Sequence, residues 1–242
     1  MRKALGVLFL GLAVVASAQT KGQPKKLLVV SVTKGYRHAS IPVIESTLEE
    51  LAKQSGAFTL DYARTDEDLA QKMSAKVLEG YDGVLFASTT GDLPLPDRDA
   101  FLKWLEGGKG FVGVHAATDT FHNWRPFIDM IGGEFKTHGP QVTVSVLVDD
   151  KAHPATQTLK APFDVHDEIY EFKSFGRERV KMLLSMDKHP QSKEPGFYPL
   201  AWTREQGKGR VFYTALGHRE DVLQAAWFKE HLLGGVSWAL SR

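Results

Sequence analysis

The sequence predicts an α/β fold: a doubly wound, mostly parallel sheet with helices on both faces and a strand-rich insertion. Short, continuously apolar runs, such as residues 27–32 and 111–114, are typical of strands that are covered on both faces. Helical segments with one apolar face alternate with these runs, as in parallel β-α-β units. A stretch near the middle alternates valine with other residues and has no helical pattern, which predicts the insertion.

The first half supplies strands and helices in turn. After the strand at 27–32, Ser40 is a candidate helix N-cap, with Pro42 in the first turn and an apolar stripe behind it. Residues 58–62 alternate apolar and polar side chains, which predicts a strand near the edge of the sheet. An acidic helix at 66–79, a strand at 83–87 and a helix at 96–105 follow, and Gly107-Gly108 ends that helix before the strand at 111–114.

Strands dominate the second half. Runs at 142–148, 163–172 and 180–186 predict an antiparallel extension of the same domain, with no separate fold. Two further strands, at 200–203 and 209–216, lead to a last helix at 222–240. We therefore expect a single domain over residues 27–242.

The N-terminus resembles an export signal. Arg2 and Lys3 precede an apolar run at 4–15 and the tripeptide Ala-Ser-Ala at 16–18, the order of a cleavable signal peptide. The run is shorter than the roughly 20 residues that a membrane-spanning helix needs. We expect residues 1–18 to be removed, 19–26 to form a flexible N-terminus, and the mature protein to be periplasmic or secreted, with no membrane attachment.

Composition excludes several functions. Removing the two basic residues of the signal leaves 28 Lys and Arg against 29 Asp and Glu, a net charge of −1, so nothing indicates nucleic-acid binding. The chain has no cysteine, which rules out disulfides, thiolate metal ligands and a thiol nucleophile.

The centre of the predicted site is a sharp turn at His115, which we call the elbow. The strand at 111–114 stops there, and a helix-like segment of small residues follows. Gly113 and Ala117 flank His115 with the spacing of the G-x-S-x-G nucleophile elbow, where larger side chains would keep strand and helix apart. An imidazole occupies the position that a nucleophile usually holds.

Polar loops follow four predicted strands, and in open α/β sheets ligands bind beyond the carboxyl ends of the strands. His38, His115 and His218 lie in three of these loops, so we predict that they share one rim as catalytic residues. Glu168 is the fourth predicted catalytic residue. Residues of the same loops and of the insertion are the candidates for substrate binding: Tyr36, Thr90, Asp92, Thr118, Asp119, Trp124, His138 and Tyr170.

Glu168 and Tyr170 are chosen from the run His-Asp-Glu-Ile-Tyr at 166–170. Alternate residues of a strand share a face, so Glu168 and Tyr170 would face the site together while Asp167 would face away. Four other histidines, His122, His153, His189 and His231, are assigned to surface or capping positions.

Several segments in order resemble the trehalose-utilization, ThuA-like family: Thr-Lys-Gly-Tyr-Arg-His at 33–38, Gly-Val-His-Ala-Ala-Thr-Asp at 113–119, Ile-Gly-Gly-Glu-Phe at 131–135, the run at 166–170, and Gly-Lys-Gly-Arg-Val-Phe-Tyr at 207–213 through Gly217-His218. The resemblance implies a flavodoxin-like fold similar to class I glutamine amidotransferases. In those enzymes the elbow holds a cysteine, so a chain without cysteine cannot hydrolyse glutamine through a thioester.

The resemblance also implies carbohydrate metabolism, with glycosides or keto-sugars as substrates. The residues leave three functions open. The first is an enzyme that uses His115 and Glu168 for acid–base hydrolysis or elimination. The second is a sugar hydrolase or isomerase that uses a divalent metal, such as zinc, with His38, His115, His138 and His218 as candidate ligands. The third is a non-catalytic sugar-binding module. The sequence requires no other cofactor, and the oligomeric state stays open.

Overall fold

The computed structural model describes residues 23–241. In chain order, the strands are β1 (Lys25–Val30), β2 (Phe58–Ala63), β3 (Gly83–Ala87), β4 (Gly110–Val114), β5 (Glu134–His138), β6 (Val142–Val148), β7 (Phe163–Asp167), β8 (Tyr170–Lys173), β9 (Lys181–Lys188), β10 (Pro195–Gln206) and β11 (Gly209–Thr214). The α-helices are α1 (Ile41–Ser55), α2 (Asp66–Lys72), α3 (Ala75–Leu78), α4 (Arg98–Glu106), α5 (Arg125–Ile131), α6 (Glu220–Gln224) and α7 (Ala226–Leu240), and 3₁₀ helices cover His115–Asp119 and Arg177–Arg179.

One half of the main sheet is parallel, in the order β2-β1-β3-β4-β11. Helices cover both of its faces, so each central strand must be apolar on both sides. In β1, Leu27 and Val29 pack into one hydrophobic core while Leu28 and Val30 pack into the other. This explains the continuous apolar run and confirms the predicted doubly wound sheet.

The other half is antiparallel and continues the same sheet through β10, β9, β6 and β7. A separate two-stranded ribbon pairs β5 with β8. The strand-rich insertion is therefore an extension of the sheet, as predicted, and β2 is an edge strand, as its alternating pattern indicated.

Several predicted boundaries differ from the structure. Strand β1 begins at Lys25, inside the segment predicted to be flexible, because Lys25 and Lys26 already pair with β2. The helix predicted at 66–79 is divided at Ser74, and the one at 222–240 at Ala225; both residues have extended ψ angles, 143° and 137°. Ser40 precedes α1, but its hydroxyl makes no cap hydrogen bond.

Within residues 23–241, no helix is long and apolar enough to cross a membrane. The predicted signal peptide lies outside the described residues, so its removal stays a prediction.

Candidate active site

The elbow has the geometry that its small residues indicated. His115 has a φ of +49°, in the left-handed region that side-chain-bearing residues rarely adopt. A Cβ on Gly113 would lie 2.9 Å from Tyr213 Cδ2 and 3.1 Å from Ala117 Cβ. Glycine at 113 therefore lets the 3₁₀ helix pack directly on β4, and the turn directs the imidazole across the rim of the sheet.

Four side chains meet beside the elbow, and we call them the His–Glu cluster: His38, His115, Glu168 and His218. One ligand-type atom from each lies within 4.8 Å of the others. The three histidines follow the parallel strands β1, β4 and β11, whose carboxyl ends share one rim. Glu168 arrives from the antiparallel half, in the link between β7 and β8.

A backbone carbonyl fixes the orientation of His115. Its Nδ1 lies 2.7 Å from the carbonyl oxygen of Ala215. A carbonyl oxygen only accepts, so in the neutral ring Nδ1 carries the proton and Nε2 presents its lone pair to the cluster. This Nε2 lies 3.4 Å from Glu168 Oε2 and 3.3 Å from His218 Nδ1.

Glu168 is the anion of the cluster. Burial alone would raise its pKa, but the adjacent imidazoles of His115 and His218 outweigh burial and hold the pKa below the usual range. His218 Nδ1 lies 3.2 Å from Glu168 Oε2, and this contact raises the pKa of His218. The second carboxylate oxygen, Oε1, lies 3.1 Å from Nδ1 of His138, at the exposed edge of the cluster.

His38 has a buried nitrogen with no partner. Its side chain is 6% exposed, and Nδ1 makes no hydrogen bond. Burial, together with the neighbouring His115 and His218, lowers the pKa of His38 to about 3. A neutral imidazole of this kind offers a lone pair, and three imidazoles with one carboxylate are a donor set that suits zinc and related divalent ions.

Asp167 is a site residue that the sequence analysis missed. It is fully buried, and its carboxylate accepts hydrogen bonds from the backbone N–H groups of Gly217 (2.7 Å), Arg219 (3.1 Å) and Glu168 (3.0 Å). The sequence predicts that Asp167 points away from the site, because adjacent residues of a strand face opposite sides. Asp167 instead holds the loop that carries His218 in place.

Three predicted substrate-binding residues surround the cluster. The Tyr170 ring lies 4.5 Å from the His115 ring, and burial raises the pKa of its phenol. His138 contacts Glu168. Tyr36 is 67% exposed, and its ring lies 4.8 Å from that of His38. Tyr36 and His218 also line an open cavity of about 500 Å³, so one member of the cluster borders a space large enough for a small molecule.

Five other predicted substrate-binding residues have structural partners in the described part of the chain. The Thr90 hydroxyl donates to the carbonyl of Tyr36 (2.7 Å), and the Thr118 hydroxyl bonds that of Tyr213 (3.0 Å). Asp119 pairs with His122 (2.7 Å) and the exposed Asp92 with Arg98.

Trp124, the fifth, is 8% exposed and belongs to the aromatic core beneath the elbow. Its ring contacts are with Phe101, Phe121 and Phe127. This placement gives no support to its predicted role in substrate binding. Two of the four histidines assigned to surface or capping positions are instead buried, His153 (5% exposed) and His231 (0%). His153 packs against Trp238 of α7, and His231 lies within α7 and packs against Phe212.

The sequence matches the family model described as ThuA, trehalose utilisation, over residues 26–239. A comparison with curated protein sequences found no match to this chain. Among solved structures, a ThuA-like protein from Bacteroides uniformis superposes with a TM-score of 0.74 at 23% identity, covering 95% of this chain and 96% of that one. A ThuA-like protein from Parabacteroides merdae gives 0.74 at 22% identity, with 90% of each chain covered.

A similar fold occurs inside a larger enzyme, the beta-galactosidase from Bacillus circulans sp. alkalophilus. The TM-score is 0.55 at 12% identity, and the match covers 90% of this chain but 30% of the galactosidase. At these identities the structural matches describe the fold alone.

Proposed function

Because the chain belongs to the trehalose utilisation (ThuA) family, we propose that it is a carbohydrate-processing enzyme that acts on a glycoside or keto-sugar. The His–Glu cluster would be its chemical centre, with a divalent ion of the zinc type bound to its four side chains. The observation that carries the proposal is the convergence of three imidazoles and one carboxylate within 4.8 Å at the rim where ligands of α/β sheets bind.

The unpartnered nitrogen of His38 favours a metal over a purely organic site. A buried polar atom without a hydrogen bond is unfavourable, and such atoms are rare in folded proteins. Ligation would use a lone pair of the buried His38 imidazole as well as that of His115 Nε2. The contact between His115 Nδ1 and Ala215 resembles the outer hydrogen bonds that orient metal-bound imidazoles.

Residues outside the ligand set would handle protons. On a keto-sugar, polarisation of the ketone acidifies the neighbouring C–H; a base takes that proton, and the glycosidic C–O bond beyond it breaks. His138 would act as the base, which its contact with Glu168 at the exposed edge of the cluster supports. Tyr170 stays a neutral phenol because burial raises its pKa, so it can donate a proton to the leaving oxygen.

A metal-free mechanism is the second candidate. Glu168 already pairs with His218 at 3.2 Å, which satisfies that carboxylate without an ion. His115 and Glu168 would then act as the acid–base pair.

Metal analysis and turnover test the proposal together. Protein purified without a chelating resin is analysed for metals and incubated with a panel of glycosides and their 3-keto derivatives, with products read by mass spectrometry. We expect about one equivalent of a divalent metal, and turnover that a chelator abolishes and added zinc restores. Turnover without metal would establish the acid–base mechanism. Sugar-induced thermal shifts without any product would establish a binding module and overturn the enzyme.

Export is a separate proposal. We propose that residues 1–18 direct the chain out of the cytoplasm and are then cleaved, which the basic start, apolar run and Ala-Ser-Ala sequence support. N-terminal sequencing of the protein from a periplasmic or culture fraction should begin at Gln19. A chain that keeps Met1 and stays with the cytoplasmic fraction would contradict it.

A further inference from the structure

A second cavity, of about 440 Å³, lies at the end of the sheet opposite the His–Glu cluster. Arg210 is near the start of β11, whereas Ala215, which bonds His115, follows its last residue. At about 3.3 Å per residue, the two ends of this strand are roughly 16 Å apart. The cavity is therefore distinct from the candidate active site, and its size is typical of small-molecule pockets, about 300 to 1,000 Å³.

Three residues that line this cavity have a buried N–H group without an acceptor, His153, Arg204 and Arg210, and two of them, His153 and Arg210, lie against the ring of Trp238. The backbone N–H of Ala155 donates to His153 Nδ1 (3.1 Å), so in the neutral ring the proton is on Nε2, which has no hydrogen-bond partner. His153 is 5% exposed. Arg210 donates from Nη1 to the carbonyl of Trp238 (3.1 Å), but its buried Nε is likewise without a partner. Unpaired buried donors are the feature that an oxyanion would satisfy.

Trp238 fixes both donors. Its ring lies 5.1 Å from the His153 ring, and the Arg210 guanidinium carbon lies 5.0 Å from its centroid. Lys181, at the start of β9, pairs opposite Thr203 of β10, which also lines the cavity. The Lys181 side chain is 68% exposed and contacts Asp150 at 2.8 Å, so its ammonium group remains accessible from the solvent side.

The lining carries more positive than negative charge. Four cationic side chains face two acidic ones: Arg179, Lys181, Arg204 and Arg210 against Glu178 and Glu205. The pKa of His153 is lowered to about 4, first by burial and also by Lys181 and Arg210, although Asp150 opposes the shift. Burial and the adjacent Arg179 similarly lower the pKa of Arg204. Burial is the first cause of both pKa shifts, and the neighbouring cations act in the same direction.

We propose that this cavity is a second binding site, for a small molecule that carries a carboxylate or phosphate group. The oxyanion accepts hydrogen bonds from His153 Nε2 and Arg210 Nε and pairs with the Lys181 ammonium group. Binding requires small side-chain rotations, because both donor atoms are buried. The site is independent of the reaction at the His–Glu cluster.

Isothermal titration of the whole protein tests the site with four probes: inorganic phosphate, glucose 6-phosphate, glucuronate and, as the neutral control, glucose. We expect saturable binding of at least one anionic probe and none of glucose. Tighter binding of the phosphates would identify a phosphate site, and tighter binding of glucuronate a carboxylate site. A histidine NMR spectrum should show the His153 ring signals shift on binding.

Arg210→Gln should weaken the binding of the preferred probe at least tenfold. Lys181→Gln, a change at an exposed side chain that leaves the core intact, should weaken it about threefold, in the range of an exposed charge pair. Lys208→Gln removes the same charge from the exposed turn between β10 and β11, outside the lining, and should leave binding unchanged. Equal affinity in all three variants, or no saturable binding of any anionic probe to the unmodified protein, would overturn the site.

Discussion

At the residue scale, the His–Glu cluster depends on atoms outside it. The carbonyl of Ala215 sets the proton of His115, and the carboxylate of Asp167 holds the loop of His218. The sequence indicated the three histidines and Glu168, because their residue types and loop positions point to chemistry. It did not indicate Asp167, because its role depends on a loop fifty residues further along the chain.

Replacement of Glu168 by glutamine should weaken metal binding and abolish turnover. Glutamine keeps the size of the side chain but removes the anion that three imidazoles contact. We expect metal affinity to fall at least tenfold, with an unchanged circular dichroism spectrum. Glu171→Gln is the matched control: this acid is on β8 and contacts His189 and Lys136. If both variants keep the same metal content and activity, Glu168 is not part of the centre.

Asp167→Asn should weaken metal binding, although Asp167 is not a member of the His–Glu cluster. Gly217 donates to Oδ2 and Arg219 to Oδ1, and the amide nitrogen that replaces one of these oxygens cannot accept, so the loop of His218 loses one of its two buried hydrogen bonds to this side chain. We expect a loss of about 1–3 kcal/mol in unfolding free energy and a drop in metal affinity of about 10–100-fold. Asp164→Asn, at an exposed position of the same strand, should change neither. Normal metal affinity in a destabilised Asp167 variant would reduce its role to stability alone.

At the element scale, the elbow and the rim follow from strand order. Continuous apolar runs predicted the central strands, and the small residues at 113 and 117 predicted the close approach of β4 and the following 3₁₀ helix. Local sequence patterns were therefore enough to predict this part of the fold. The division of the last helix at Ala225 could not be predicted from the sequence. Alanine favours helix, yet Ala225 has an extended ψ of 137° in the folded protein.

Gly113→Ala should destabilise the elbow. The added Cβ would lie 2.9 Å from Tyr213 Cδ2, 3.1 Å from Ala117 Cβ and 3.2 Å from Ile131 Cδ1, all closer than normal contacts. We expect a loss of about 1–3 kcal/mol, measured by chemical denaturation. Gly80→Ala is the control, since its Cβ meets one neighbour, a carbonyl oxygen at 3.3 Å. Equal stability of the two variants would show that β4 and the 3₁₀ helix are not closely packed.

At the scale of the whole molecule, burial of histidine makes stability depend on pH. Three buried histidines have lowered pKa values: His38 at about 3, and His153 and His231 at about 4, with burial as the first cause of each. In the unfolded chain these groups take up protons near pH 6.5, so between pH 6.5 and about 4 the unfolded state binds more protons than the folded state. The contribution of these three histidines to stability is therefore full above pH 6.5 and falls as the pH drops through this window.

The metal-free protein should lose unfolding free energy on acidification, by up to about 1.4 kcal/mol per pH unit for each such histidine. His231→Gln should reduce the slope, because it removes one of these groups while keeping a donor for the carbonyl of Ala155. His166→Gln, at an exposed position, should leave the slope as it is. Denaturant titrations at pH 7.5, 6 and 5 measure the slope of the unfolding free energy against pH. The same slope in both variants would contradict the contribution assigned to His231.

The His–Glu cluster draws on four segments that are far apart in the chain, at residues 38, 115, 168 and 218. Its last member follows β11, the strand that joins the parallel half of the sheet to the antiparallel half. A structure in which β11 is not paired with its neighbours β4 and β10 cannot bring the four side chains together. The four side chains therefore meet only when both halves of the sheet are in place, and a chain truncated before β11 would lack the geometry of the cluster.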